Sequence, residues 1–465
     1  MYDLKIKIKI LVETYMANVI KLRKGLDINL KGKPQPELSS VKQNKVYALM
    51  PTDFIGVTPK VVVHEGDRVK AGEPLFIDKN YPDVNFVSPV SGKVLGVDRG
   101  ERRKVLSIRV EADDVQEFID FGVQNPKNLS SDEVKQLLMK SGLFAFIHQR
   151  PYDITATPDN HPKGIFVSAF DSKPLAPDFE FVLKGQEEDF QAGLDVLSRL
   201  APVFLGVSLK QKSKAICEAK NVTVTIFDGP HPAGNVGVQI HHILPINKGE
   251  QVWTLGAEEV IFIGRLVRKG HVDFTRTVAL SGSEVLNPCY CKVLLGVGVS
   301  SILSGRLSDN ASLRVIDGNV LTGKVVPVGG FLGAHSTQVT VIPEGNEVNE
   351  FLGWIMPRLK DYSTHRSYFS WLFGKHHEYV MDARIKGGER HMIMSGEYDK
   401  VLPMDILPEF LIKAIIAGDI DRMEALGIYE VAPEDFALCE FVDSSKLELQ
   451  RIVREGLDAL HEEMC

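Results

Sequence analysis

Between residues 46 and 110, apolar and polar residues alternate in short runs: KVYALMP, PKVVVHEGD, EPLFIDK, VNFVSPVSGKVLGV and KVLSIRV. Gly, Pro and Asp break the runs at even intervals. A two-residue period turns one face of each run toward a core, so this stretch predicts a small β-barrel or sandwich. From residue 130 the period changes. SSDEVKQLLMKSG combines a serine cap, apolar residues at helical spacing and a glycine stop, which predicts an amphipathic helix. GIFVSAF, APVFLGVSL and NVTVTIFDG read as buried strands, with EEDFQAGLDVLSRLA as the crossover helix between the first two. Strand, helix and strand at that spacing imply a parallel α/β sheet.

From residue 259 strands are expected again, in EEVIFIGRLV, TRTVALSG, YCKVLLGVG, SLRVIDGNVL and QVTVIPEG, with one short helix near 299–305. The tail from residue 404 is helical in pattern through DILPEFLIKAIIAGD, IDRMEALG, PEDFALCEFV and SKLELQRIVREGLDALHEEM. Residues 1–15 alternate Lys with Ile ahead of Met16 and are set aside as an extension outside the fold.

Length and composition narrow the picture. A chain of 465 residues is too long for one core, and roughly 100–200 residues per domain suggests three or four domains. Hydrophobic residues at 44% and charged residues at 25% exclude extensive disorder. The net charge of -7 gives no support to nucleic acid as a partner. Five scattered cysteines are not a disulfide scaffold, which points to a reducing cytoplasm. No apolar run approaches the roughly 18–20 residues that span a bilayer, and no secretory signal opens the chain.

Four stretches carry candidate chemistry. The run from EGDRVKAGEPLF to SPVSGKV resembles half of a biotinyl/lipoyl carrier, with EGD and SGK turns bracketing a hairpin that carries Lys79. An Asp-Lys tip also follows from turn chemistry alone. Residues 228–246, DGPHPAGNVGVQIHHILPI, form a Gly- and Pro-rich loop leaving a parallel strand, where such sheets bind ligands. His231 lies in that loop. His241 and His242 would face opposite sides on a strand, and a metal would want a His pair on one face with a carboxylate. A rigid turn with partly buried histidines stands beside the ligand-site reading.

No GxGxxG or GxxxxGK[ST] occurs in the α/β region, and a dinucleotide needs glycines at a helix N-terminus. Cys289 and Cys291 point to one face of a strand with no second pair nearby, which argues for packing or surface thiols and against a four-thiolate metal or an iron–sulfur cluster. The stretch 354–379 interleaves Trp354, Tyr368, Phe369 and Trp371 with Arg358, Arg366 and Lys375, which suits a membrane interface or a protein partner.

In order from Met16 onward, the motifs MANVIKLRKGLDINLKGKP, VHEGDRVKAGEPLF, RPYDITATPDNHPKGIFVSAFDSKPLAPD, DGPHPAGNVG and GEYDKVLPMDILPEFLIKAIIAGD resemble the A subunit of the bacterial Na+-translocating NADH:quinone reductases. The resemblance implies a chain built like the NADH-binding flavoprotein subunit of complex I and the C subunit of Rnf-type complexes. It implies a peripheral position on the cytoplasmic face of the inner membrane, docked to a membrane subunit, with no flavin or iron–sulfur cluster of its own. The complex as a whole uses NADH, flavins, iron–sulfur and ubiquinone or menaquinone, and exports Na+. Nucleotide-binding relatives have a glycine-rich loop where this chain has GLFAFIHQRPYD. The tail keeps only Cys439, with Asp443 where the family often has a second cysteine. Gln239-Ile240-His241 stands where the family commonly has His-Ile-His, with His242 in place of a usual Phe.

The expected fold is multidomain α/β: a biotinyl/lipoyl-like barrel-sandwich over 16–112, a degenerate Rossmann-like domain over 113–258 and a β-grasp-like, SLBB-type module over 259–350. Residues 351–465 would hold the aromatic-basic linker and a helical domain, a relict of an iron–sulfur domain. The expected role is structural and docking, without catalytic or metal-ligating residues. His231, Gly234, Gly237, His241 and His242 are the candidate quinone or subunit contacts, and Arg366 and Trp371 the candidate docking residues. Two alternatives remain: a soluble NADH-dependent flavoprotein of complex I type, and a lipoyl or biotinyl carrier acting through Lys79.

Overall fold

The structure, a computed structural model, describes residues 19–42, 44–309, 312–346, 358–364, 366, 368–373 and 377–464. The extension at 1–15 and Trp354 and Lys375 of the aromatic-basic stretch lie outside the described residues.

Two short strands come first, β1 (Val19–Lys21) and β2 (Leu38–Ser39). The barrel-sandwich follows in two sheets. One has the order β3 (Val46–Leu49), β9 (Val105–Ala112), β8 (Gly92–Arg99), β5 (Arg68–Val69); the other has β4 (Pro59–Val61), β6 (Pro74–Asp78), β7 (Asn85–Val87). Alternate positions point inward, and Phe76 stacks on Phe86 at 4.3 Å between ring centres in the core. The SGK segment expected as a turn opens β8 instead. Lys79 begins the β6–β7 connection with an exposed side chain.

The helix Ser131–Lys140 has Ser130 at its cap, and the Glu133 carboxylate accepts the Ser130 N–H at 2.8 Å, closing a capping box. Beyond it a seven-stranded sheet runs β1, β14 (Thr223–Asp228), β13 (Val203–Ser208), β12 (Ile165–Ser168), β15 (Val252–Gly256), β10 (His148–Arg150), β11 (Ile154–Thr155). Strands β14, β13, β12 and β15 are mutually parallel, as the strand–helix–strand spacing requires. Along β12 the side chains alternate between two cores. Ile165 and Val167 join the barrel-side core with helices Glu187–Leu197 and Ala257–Lys269, whereas Phe166 joins the core beneath helix Val236–Ile243 and the C-terminal helices.

EEVIFIGRLV, expected as a strand, lies in the helix Ala257–Lys269. Residues Ala257 to Val267 are all buried, and the unbroken apolar run Val260 to Gly264, rich in Val, Ile and Phe, mimics a strand although Glu258, Arg265 and Lys269 fall on one helical face. The helix crosses Glu187–Leu197 at very close range. A Cβ on Gly193 would lie 2.0 Å from the Val260 carbonyl, and one on Gly264 would lie 1.7 Å from that of Asp189.

A six-stranded sheet follows, in the order β19 (Lys324–Val325), β18 (Leu313–Asp317), β20 (Gln338–Pro343), β16 (Thr275–Ser281), β17 (Cys289–Leu294), β2. Its short helix is Val299–Leu303. The leading segment therefore ties the modules together, with β1 extending the α/β sheet and β2 edging the last one. The helices Pro408–Ala417, Ile420–Ala425, Ala437–Val442 and Leu449–Met464 pack around Tyr398, Leu411, Phe436 and Leu457. Among the described residues no helix is long and apolar enough to cross a membrane.

Candidate functional site

Strand β12 leads through a crossover to β13 and then β14 on one side, while β15 pairs with its other side. Connections that leave in opposite directions open a crevice beyond the carboxyl ends of the two central strands. Ser168 and Gly256, the last residues of β12 and β15, are paired there. A cleft of about 270 Å³ opens just beyond them. Phe170, Asp171 and Lys173 follow β12 into it, Glu258 and Glu259 enter from the first turn of Ala257–Lys269, and Gly234 and Val236 from the start of Val236–Ile243. His335 and Thr277 come from the last β module, and Glu434 from the C-terminal segment.

Glu258 is 5% exposed, and burial pushes its carboxyl up to about 7 against the opposing pull of Arg276. One oxygen accepts the Thr277 N–H at 2.6 Å; the other lies 3.3 Å from Arg276 Nε without making a hydrogen bond. Arg276 also donates to Glu259 at 2.5 Å and to the carbonyls of Ala334 and Ser336 at 2.7 and 3.0 Å. His335 and His148 meet edge to face, 4.7 Å between ring centres. Burial lowers the pKa of both imidazoles. Burial also opposes the Lys173 ammonium, but Asp171 and Glu434 together hold it above its ordinary value.

This site suits a phosphate poorly. The charges lining the cleft are the carboxyls of Asp171, Glu258, Glu259 and Glu434 with Lys173 as the cation. At the N-terminus of Ala257–Lys269, where a pyrophosphate would rest, a Glu259 oxygen lies 2.0 Å from where a Gly256 Cβ would stand.

The candidate contacts of the 228–246 stretch separate. His241 and His242 sit on the helix Val236–Ile243 and not on a strand, because the Gly-Pro loop ends at Asn235 and β15 begins only at Val252. His241 Nε2 accepts the Asp405 N–H at 2.9 Å, which leaves Nδ1 to donate to Glu430 at 2.7 Å. His242 Nε2 donates to the Pro403 carbonyl at 2.9 Å, and burial lowers its pKa. Both rings thus fasten this helix to the C-terminal segment. Gly237 faces the same way: a Cβ there would lie 2.5 Å from the Asp435 carboxylate, which pairs with buried Arg150 at 2.7 Å. Gly234 alone of the five lines the cleft, and His231 stands behind it. His231 Nδ1 is 3.0 Å from Ser172 Oγ, which accepts the Gly234 N–H at 2.8 Å, and burial drops the imidazole to about 4.

Arg366 lies over the Trp371 ring, 5.4 Å from its centre, and Trp371 is 44% exposed beside the exposed Phe369 and Leu372. The cleft residues Lys173, Glu258 and His335, and Arg276 paired behind them with Glu258 and Glu259, escaped the sequence reading. The available signal was Glu258-Glu259 two residues after Gly256 at a strand end, an acidic first turn that marks a helix start.

Three family models match in the order of the modules just described: the NqrA N-terminal barrel-sandwich hybrid domain over residues 20–113, the NqrA second alpha/beta domain over 129–272 and the NQRA C-terminal domain over 277–327. Fold and site thus define an NqrA-type chain. Its relatives are full-length. A protein of Yersinia pestis bv. Antiqua (strain Angola) is 37% identical over 96% of this chain and 100% of its own length, and one of Neisseria meningitidis serogroup A is 38% identical with the same coverage. Both are named as the A subunit of the Na(+)-translocating NADH-quinone reductase, and the chain belongs to that family. A solved structure of NAD+-reducing [NiFe]-hydrogenase in the H2-reduced state shows a TM-score of 0.34 at 13% identity, covering 46% of this chain and 47% of that one.

Proposed function

We propose that the chain works as the peripheral A subunit of a Na+-translocating NADH:ubiquinone reductase, the complex that passes electrons from NADH to quinone and exports Na+ from cytoplasm to periplasm. The full-length match to proteins of that name carries this reading. The chain lies on the cytoplasmic face of the inner membrane, docked to a membrane subunit. Its role is structural, and it shapes a quinone-linked site without holding a redox group of its own. Two features support this: the exposed Arg366–Trp371 patch, and the acidic cleft with Glu259 placed where a phosphate would rest. Gly234 at the cleft edge, positioned through Ser172 and His231, is the part of the loop open to a quinone or a neighbouring subunit.

In this reading the α/β domain is a degenerate Rossmann-like fold, the last β module is β-grasp-like, and the helical tail is the relict of an iron–sulfur domain. The strand order with its central switch point supports the first of these. The alternatives, a soluble NADH-dependent flavoprotein and a carrier acting through Lys79, are not favoured by full-length relatives that bear the name of a quinone reductase component.

Purification of the tagged chain from detergent-solubilised membranes tests the proposal. The other components of the complex should co-purify and the isolated chain should show no flavin absorbance. A chain recovered alone with bound flavin would refute it.

A further inference from the structure

On β17, Cys289 and Cys291 are two residues apart, and both sulfurs turn toward one nitrogen of Arg306, 3.9 Å from Cys289 Sγ and 2.7 Å from Cys291 Sγ. The other terminal nitrogen of Arg306 holds Ser39 Oγ at 2.9 Å and the Ser40 carbonyl, the point where β2 leaves the sheet. Cys291 is fully buried and Cys289 is 8% exposed, whereas Arg306 is partly open to solvent. Two sulfurs thus converge on one place, beside a guanidinium that is itself partly open to solvent.

We propose that Cys289 and Cys291 form a two-coordinate site for a thiophilic monovalent metal ion, copper(I), with Arg306 as its counter-ion. The donor set decides the class. No group of three or more His, Cys, Asp and Glu residues that could hold a metal occurs among the described residues, so tetrahedral zinc lacks its ligands. Paired thiolates without nitrogen or oxygen donors select soft copper(I). On binding, each thiol loses its proton to solvent and each sulfur forms one bond to the ion, so two thiols and one Cu+ give one bis-thiolate anion and two released protons. The product carries a single negative charge, which the guanidinium of Arg306 neutralises from beside the sulfurs. The ion enters as that guanidinium tilts away from the sulfurs. No change of oxidation state is involved.

The test is titration of the full-length chain with copper(I) buffered by bicinchoninate under anaerobic reducing conditions. The chain should withdraw one equivalent, with an X-ray absorption signature of two sulfur ligands. Cys289→Ser and Cys291→Ser should each weaken this binding at least a hundredfold. A variant that keeps the pair but carries Cys217→Ser, Cys439→Ala and Cys465→Ser should still take one equivalent, and it decides the matter even if the single variants unfold. Retention of full affinity by either single variant, loss of binding in the triple variant, or failure of the parent chain to compete with bicinchoninate would overturn the assignment.

Discussion

The guanidinium of Arg276 lies 3.3 Å from Glu258 and 2.5 Å from Glu259, and none of the three side chains is more than 7% exposed. This cluster joins the first turn of Ala257–Lys269 to β16, across the junction between the α/β sheet and the last β module. Removing the cation leaves two buried acidic side chains without their nearest positive charge. Arg276→Met should therefore destabilise the chain by about 3–5 kcal/mol, a cost typical of breaking one side of a buried ion pair. Urea unfolding at pH 7 measures it, and a loss under about 1 kcal/mol would show that the carboxylates find other partners.

Glu258 makes stability depend on pH. Its folded pKa, about 7, lies above the ordinary 4.5, so the native state holds its proton more tightly than the unfolded chain. Its contribution is fully present below about pH 4.5 and is lost as pH rises through 7. At about 1.4 kcal/mol per pH unit separating the two values, the whole span amounts to about 3 kcal/mol. Glu258→Gln keeps an acceptor for the Thr277 N–H and should flatten the stability curve between pH 5 and 8, as compared by denaturant midpoints. Parallel curves for the two proteins would refute the assignment.

His241 ties the helix Val236–Ile243 to both Asp405 and Glu430. His241→Ala removes both partners at once and should cost about 2–4 kcal/mol, since the Glu430 carboxylate loses a donor. Hydrogen exchange should rise selectively between residues 398 and 430. Unchanged protection in that stretch would mean that apolar packing alone holds the C-terminal helices.

Gly234 has no room for a side chain, because a Cβ would lie 2.6 Å from the Ser172 N and 2.9 Å from its hydroxyl. Gly234→Ala should push the Ser172 loop away at a cost of about 1–3 kcal/mol. It should also break the Ser172–His231 contact, which shows as a moved imidazole resonance. A wild-type spectrum and melting temperature would rule this out.

The exposed pair Arg366 and Trp371 tests docking. Arg366→Ala and Trp371→Ala together should release the chain from membranes in a flotation assay while its melting temperature stays within a few degrees of the parent. Undiminished co-flotation would remove this patch from the interface.

Local periodicity made much of this architecture legible. The barrel strands, the capped helix after Ser130, the three parallel strands and the short helix at Val299–Leu303 all have amphipathic or buried patterns that a single segment displays on its own. The helix Ala257–Lys269 does not, because it is enclosed from Ala257 to Val267 and its unbroken apolar run Val260 to Gly264 reads as a strand. That enclosure also hid Glu258 and Glu259, whose meaning depends on their being the first turn of a helix.

The same division holds for the loop that carries His231. Its glycines and prolines marked a rigid connection at a strand end, but the fates of His231, Gly234, Gly237, His241 and His242 rest on Ser172, Asp405, Glu430 and Asp435, which come from distant parts of the chain. By itself the sequence determined most of the elements, the helix Ala257–Lys269 excepted, their order and the absence of a glycine-rich phosphate loop, since these follow from short-range pattern and backbone chemistry. Only the tertiary structure decided which side chains line the cleft and which clamp one segment to another. Burial and ion pairing arise between residues hundreds of positions apart, as Arg150 and Asp435 are at 285, and no local pattern encodes a separation of that length.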